Sequence, residues 1–135
     1  MWWPARARLA GNPNGQVLLD AMEDEHRLIG PLLAVTDDAF TTEVLESDTP
    51  VLVDFTAAWC PPCRVMKPIL SELADERDDL KVVSIDVDDN QETAARYGVL
   101  SMPTFMLFRG GQPVLRLVGS RPRKRLESEL AEVLA

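Results

Sequence analysis

The order of apolar patterns in this chain predicts an α/β fold: a largely parallel sheet with helices on both faces and an antiparallel hairpin at one edge. Three observations carry that expectation. Residues 51–57 and 81–88 are short runs rich in Val and Ile, as strands covered on both faces require. Around them lie stretches whose apolar residues recur at the helical period. Further on, Arg109-Gly110-Gly111-Gln112 separates two more strand-like runs, which is a hairpin signal. Strands alternating with helices make parallel pairs, and the hairpin adds antiparallel ones.

Each element follows in order. Leu32, Leu33, Ala34 and Val35 form a short strand. Thr36 or Asp37 caps a helix to about residue 47, with Phe40, Val44 and Leu45 inward. The apolar run at residues 51–57 is the second strand. A helix then covers about residues 60–77, with Val65, Met66, Ile69, Leu70 and Leu73 as its stripe and Pro68 expected to kink it. The third strand, residues 81–88, carries Val82, Val83, Ile85 and Val87. Residues 91–97 make a short helix stopped by Gly98. Residues 104–108 and 113–118 are the hairpin strands. The last helix covers residues 122–134, with Leu126, Leu130, Val133 and Leu134 inward.

Residues 1–30 read differently. Met1-Trp2-Trp3-Pro4 and Gly11-Asn12-Pro13-Asn14-Gly15 are turn chemistry with little periodicity, and a secretory signal's apolar core is missing. They are expected to be a largely disordered N-terminal extension, with a short helix over residues 18–28 and Met22 as an alternative start. Residues 31–135 are then the folded domain, a size able to bury a core without staples.

Composition narrows the function. A net charge of −8 argues against nucleic acid and anionic membrane surfaces. No apolar run approaches the roughly 18 residues that span a bilayer. The cluster Arg121, Arg123, Lys124 and Arg125 is read as a solvated helix start rather than a docking patch. Two cysteines are too few for a secreted disulfide scaffold, so a reducing compartment, the cytoplasm, is expected.

Both cysteines sit in Trp59-Cys60-Pro61-Pro62-Cys63, at the start of the helix over residues 60–77. A helix start carries unpaired N–H groups and positive dipole, which favour a thiolate. Cys60 is therefore expected to be the acidic, attacking thiol and Cys63, one turn in and more buried, the resolving one. Pro62 suits an early helical position, and Pro61 stiffens the loop and removes another amide. The alternatives are half of a zinc site, for which His26 is the only other soft ligand, or an inert pair.

Asp54 lies inside Val51-Leu52-Val53-Asp54-Phe55. If buried, its pKa rises, and it could take the proton of Cys63; the alternative is a solvated strand-edge carboxylate. Trp59 is a candidate apolar wall beside the thiolate, or ordinary core. Pro103 opens a strand, with trans as the default peptide geometry.

These residues, together with Arg64, Pro68, Tyr97-Gly98-Val99, Met102-Pro103-Thr104 and Val118-Gly119, resemble the thioredoxin family over about residues 32–135. The resemblance implies the thioredoxin fold, a central mixed sheet of four to five strands flanked by four helices. It implies Cys60 as nucleophile, Cys63 as resolving thiol, Asp54 as buried proton carrier and a cis Pro103 facing the disulfide. Trp59, Pro61, Pro62, Met102, Pro103 and Gly119 would border the substrate groove. The implied activity is reduction of protein disulfides by dithiol–disulfide exchange. The implied partner is an NADPH-dependent thioredoxin reductase, with no bound cofactor beyond the Cys60–Cys63 disulfide, no metal, and a monomeric state. The rivals are a thioredoxin-like oxidase or isomerase and a non-catalytic binding subunit.

Three positions depart from the family pattern. Pro61 replaces a glycine, Thr56 a second tryptophan, and Ser84 a lysine that often accompanies the buried Asp. Loss of that cation is expected to raise the pKa of Asp54 further.

Overall fold

The computed structural model describes residues 32–135. The elements are β1 (Leu33–Ala34), α1 (Thr41–Leu45), β2 (Val51–Thr56), α2 (Pro61–Glu76), β3 (Lys81–Asp86), α3 (Gln91–Arg96), β4 (Thr104–Arg109), β5 (Gln112–Val118) and α4 (Arg123–Leu134). They form one five-stranded sheet in the order β1-β3-β2-β4-β5. β1 and β2 both run parallel to β3, whereas β4 is antiparallel to β2 and β5. The architecture expected from the alternating patterns is therefore present: a mixed sheet with four helices among the described residues. The expected extension over residues 1–30, with its helix over residues 18–28, Met22 and His26, lies outside the described residues.

Alternation along the central strands divides the core in two. Val51, Val53 and Phe55 of β2 join Val83, Ile85, Met106 and Phe108 on one face, under Phe40 and Val44 of the α1 region. There Phe40, Tyr97 and Phe108 pack ring against ring, with centroids 5.2 to 5.7 Å apart. Leu52, Val82, Phe105 and Leu107 line the other face, under Met66, Leu70 and Leu73 of α2 and Leu126 and Leu130 of α4. Asp54 and Thr56 share the strand parity of Leu52 and so face α2 and α4. The hairpin turn passes close to α1: a Cβ on Gly111, whose φ is +79°, would lie 3.0 Å from the Leu45 carbonyl oxygen.

Four expectations need correction. The first helix is not an ordinary α-helix over residues 37–47: turns lead into α1, where the Glu46 N–H reaches back to the Thr41 carbonyl (2.9 Å), a π-type turn. Thr36 Oγ1 accepts from the Ala39 N–H (3.3 Å), but Asp37 caps a different helix. Its carboxylate accepts from the N–H groups of Glu92 (3.2 Å) and Thr93 (2.9 Å) in the first turn of α3. Val65 is exposed rather than part of the α2 stripe. Cys63, Met66, Leu70 and Leu73 define the buried face, and Val65 lies about a quarter-turn or more off their centre.

The fourth correction concerns the basic cluster. Arg121 is buried, not solvated, and its guanidinium holds Glu129 through Nη1 (2.8 Å to each carboxylate oxygen). Arg123 ties α4 to α2 through Glu72 (3.0 Å) and Glu76, and pairs with Glu127 within α4. Pro68, as expected, lies inside α2, and the helix continues through it to Glu76.

Candidate active site

The site forms where β2 hands over to α2. The Ala57 carbonyl accepts the Cys60 N–H (3.2 Å), which closes the turn and leaves Cys60 as the N-cap of α2. The next two residues, Pro61 and Pro62, have no N–H at all. The first free amide of the helix is therefore that of Cys63, and it donates to Cys60 Sγ (3.2 Å). The two sulfurs are joined as a disulfide, with Cα atoms 5.3 Å apart.

Exposure does not distinguish the two thiols as expected. Cys60 is 2% exposed and Cys63 fully buried, both packed with Ala57 against Val87 and Met102. What differs is the electrical setting: Cys60 Sγ receives an amide hydrogen at the positive end of α2, and Cys63 supplies it.

The loop before β4 reaches the sulfurs through Met102. The Met102–Pro103 peptide is cis, as the family resemblance implied and against the trans default. The Met102 carbonyl oxygen lies 3.6 Å from Cys60 Sγ, within reach of a thiol proton in the reduced protein. The loop is held by the Thr104 hydroxyl, which donates to the Ser101 carbonyl (2.6 Å), and by the Gly119 N–H, which donates to the Pro103 carbonyl (2.8 Å). Trp59 is not core: it is 61% exposed, and its indole Nε1–H donates to Asp88 (2.8 Å). Leu100 stands 93% exposed two residues before Met102.

Asp54 is completely buried, and neither carboxylate oxygen has a hydrogen-bond partner among the described residues. The register sets it beside Ser84 on one side and Phe105 on the other. Burial pushes its pKa from 3.8 up to about 7, and the Lys67 ammonium on α2 only partly opposes that. The solvated-edge alternative is thereby removed. Thr56, two residues along the same face, has a buried hydroxyl that is likewise unpartnered among the described residues.

The comparisons agree with this geometry. The sequence profile of the thioredoxin family matches residues 31–132. A thioredoxin of Mycobacterium tuberculosis is 50% identical over 103 residues, 76% of this chain and 89% of that one. A thioredoxin of Alicyclobacillus acidocaldarius is 48% identical over 98 residues, 72% of this chain and 93% of that one. The chain belongs to the thioredoxin family. Its sheet and helices are the thioredoxin fold, and its bonded Cys60–Cys63 pair makes it a protein-disulfide oxidoreductase working by dithiol–disulfide exchange. A bifunctional thioredoxin reductase/thioredoxin of Mycobacterium leprae is 47% identical over 106 residues, 78% of this chain and 23% of that longer one.

Among the described residues no cluster of three or more His, Cys, Asp or Glu side chains could hold a metal ion, and no helix is long and apolar enough to cross a membrane. Arg121, expected in the solvated cluster, is buried beside Gly119. Its partners lie in the β5–α4 connection and two turns into α4, so no local spacing signals them.

Proposed function

We propose that Cys60 is the attacking thiolate, Cys63 the resolving thiol and Asp54 the proton acceptor. The observation that carries this reading is the first free amide of the α2 start, aimed at Cys60 Sγ. In the reduced protein the Cys60 thiolate attacks one sulfur of a substrate disulfide, breaks that bond and expels a substrate thiolate. Cys63 then passes its proton to the Asp54 carboxylate and attacks Cys60 Sγ. The second substrate thiolate leaves, the Cys60–Cys63 bond forms, and two electrons have moved to the substrate. A carboxyl titrating at about 7 suits that proton transfer at neutral pH.

Substrates are extended protein segments carrying a disulfide. They lie against Trp59, Pro61, Pro62, Met102, Pro103 and Gly119, and their backbone pairs with Met102. The dithiol is regenerated by a thioredoxin reductase, an NADPH-dependent flavoenzyme; the fusion of the two activities named for the Mycobacterium leprae relative supports that partner. Residues 31–135 are the catalytic domain and residues 1–30 an extension to it. The protein works as a monomer in the cytoplasm without metal or bound cofactor, as a dithiol kept for exchange suits a reducing compartment.

The test is reduction of insulin disulfides by the full chain with NADPH and thioredoxin reductase. Turnover is expected for the parent and absent for Cys60→Ser, while Cys63→Ser accumulates a mixed disulfide on Cys60. Parent turnover no faster than Cys60→Ser would refute the reading.

A further inference from the structure

We infer that Arg121 is a positioning residue that holds the substrate groove in register with the dithiol; this rests on the groove proposed above. Its side chain is only 5% exposed, yet it carries a full charge. All five guanidinium N–H groups have partners. Nη1 donates to both oxygens of Glu129 (2.8 Å each). Nη2 donates to the carbonyls of Val118 (2.7 Å) and Gly119 (3.2 Å), and Nε donates to Gly119 (3.2 Å). The backbone N–H of the same residue donates to Met66 Sδ on α2 (3.5 Å).

Burying a cation is costly even when paired, and an apolar side chain of similar volume would hold α4 against α2 at least as well. What an apolar residue does not offer is the fork, which meets two backbone carbonyls and a carboxylate in fixed geometry. The carbonyls it grips belong to the groove. Gly119, at φ +97°, turns its carbonyl to Arg121 and its N–H to the Pro103 carbonyl (2.8 Å). Pro103 is joined to Met102, whose own carbonyl lies 3.6 Å from Cys60 Sγ. Polar contacts and backbone thus run from Glu129 on α4 through Arg121, Gly119 and Pro103 to the sulfur. Arg121 touches neither substrate nor sulfur; it fixes the wall the substrate meets. That predicts a contribution to extended substrates and none to small disulfides that bypass the groove.

The experiment is single-turnover oxidation of the pre-reduced full chain by insulin and, separately, by cystamine, for the parent, Arg121→Leu, Arg121→Lys, Glu129→Gln and Met102→Ala. Arg121→Leu is expected to raise the half-saturating insulin concentration roughly tenfold, with the limiting rate and the cystamine rate within about twofold of the parent. Arg121→Lys keeps the charge without the fork and is expected to recover only part of the loss. An unchanged insulin half-saturation in folded Arg121→Leu overturns the inference, and so does an equal fall with insulin and cystamine. Should Arg121→Leu fail to fold, Glu129→Gln decides: a rise of about threefold or more for insulin alone sustains the inference, and no rise overturns it. Met102→Ala separates the two readings. If it weakens insulin and Arg121→Leu does not, the groove stands and Arg121 falls; if neither does, both fall.

Discussion

Asp54 is the group whose energetics can be worked out from position alone, and replacing it with asparagine isolates its charge. The carboxyl is fully buried, has no hydrogen-bond donor among the described residues, and titrates at about 7 in place of 3.8. The folded state therefore holds the Asp54 proton more tightly than the unfolded chain does. Between pH 3.8 and about 7 the folded form binds more protons, so stability falls as pH rises through that window, and the loss is complete above it. The rise from 3.8 to about 7, at about 1.4 kcal/mol per tenfold change in proton affinity, is worth about 4 kcal/mol. An asparagine side chain is neutral at every pH and nearly isosteric, so it removes the titrating charge while keeping the shape. In urea unfolding of the oxidised protein, Asp54→Asn is expected to exceed the parent by about 4 kcal/mol at pH 8 and by about 1.5 kcal/mol at pH 5. An equal gap at the two pH values, or a parent more stable at pH 8, would show that the carboxylate is solvated or paired and would remove the basis for its proton-carrying role.

Two further outcomes test the scaffold. Asp37→Ala removes the cap of α3 and is expected to lower stability by about 1 kcal/mol at neutral pH. Burial pushes this carboxyl up, but the hydrogen bonds from Thr93 and Glu92 and the charge of Arg96 outweigh it and hold the pKa below 3.8. The capping contribution is thus present above 3.8 and shrinks as pH falls through the folded value, which urea unfolding at pH 7 and pH 3 checks. Phe40→Ala empties the centre of the ring cluster and is expected to cost about 3 to 5 kcal/mol by thermal or urea unfolding; a loss under about 1 kcal/mol would mean the α1 side of the sheet is not a packed core.

What was legible in the sequence is what local pattern encodes. β2 and β3 are covered on both faces, so they read as largely apolar runs rich in branched residues. The Cys60-to-Cys63 spacing and the two prolines announce the helix start that the structure contains. What was not legible depends on contacts between distant segments. Asp37 looks like the cap of its own helix, and only tertiary folding delivers it to α3, more than fifty residues away. Val65 belongs to the apolar stripe by composition, yet the buried face of α2 is set by where β2 and α4 lie, and it turns Val65 out. Arg121 sits in a basic cluster whose Lys124 and Arg125 are exposed, and its own guanidinium folds back onto the β5–α4 connection. Each of these side chains reads correctly by type and wrongly by partner.

The three departures from the family pattern also act on different quantities. A glycine at position 61 would supply a second free amide in the first turn of α2; with Pro61 the Cys63 N–H is the one donor to the Cys60 sulfur among the described residues. The thiolate is then held by fewer donors, which weakens its stabilisation relative to a Gly-containing site. Thr56 and Ser84 bear on Asp54, the proposed proton acceptor. Both are small, both are buried, and neither supplies a cation, so the charge that opposes the burial of Asp54 is that of Lys67. In the mechanism proposed above, position 61 thus bears on the attacking step and positions 56 and 84 on the resolving step. A Pro61→Gly change should move the acidity of Cys60, read by the pH dependence of its alkylation, while leaving the titration of Asp54 in place, because the two groups are reached through different backbone segments.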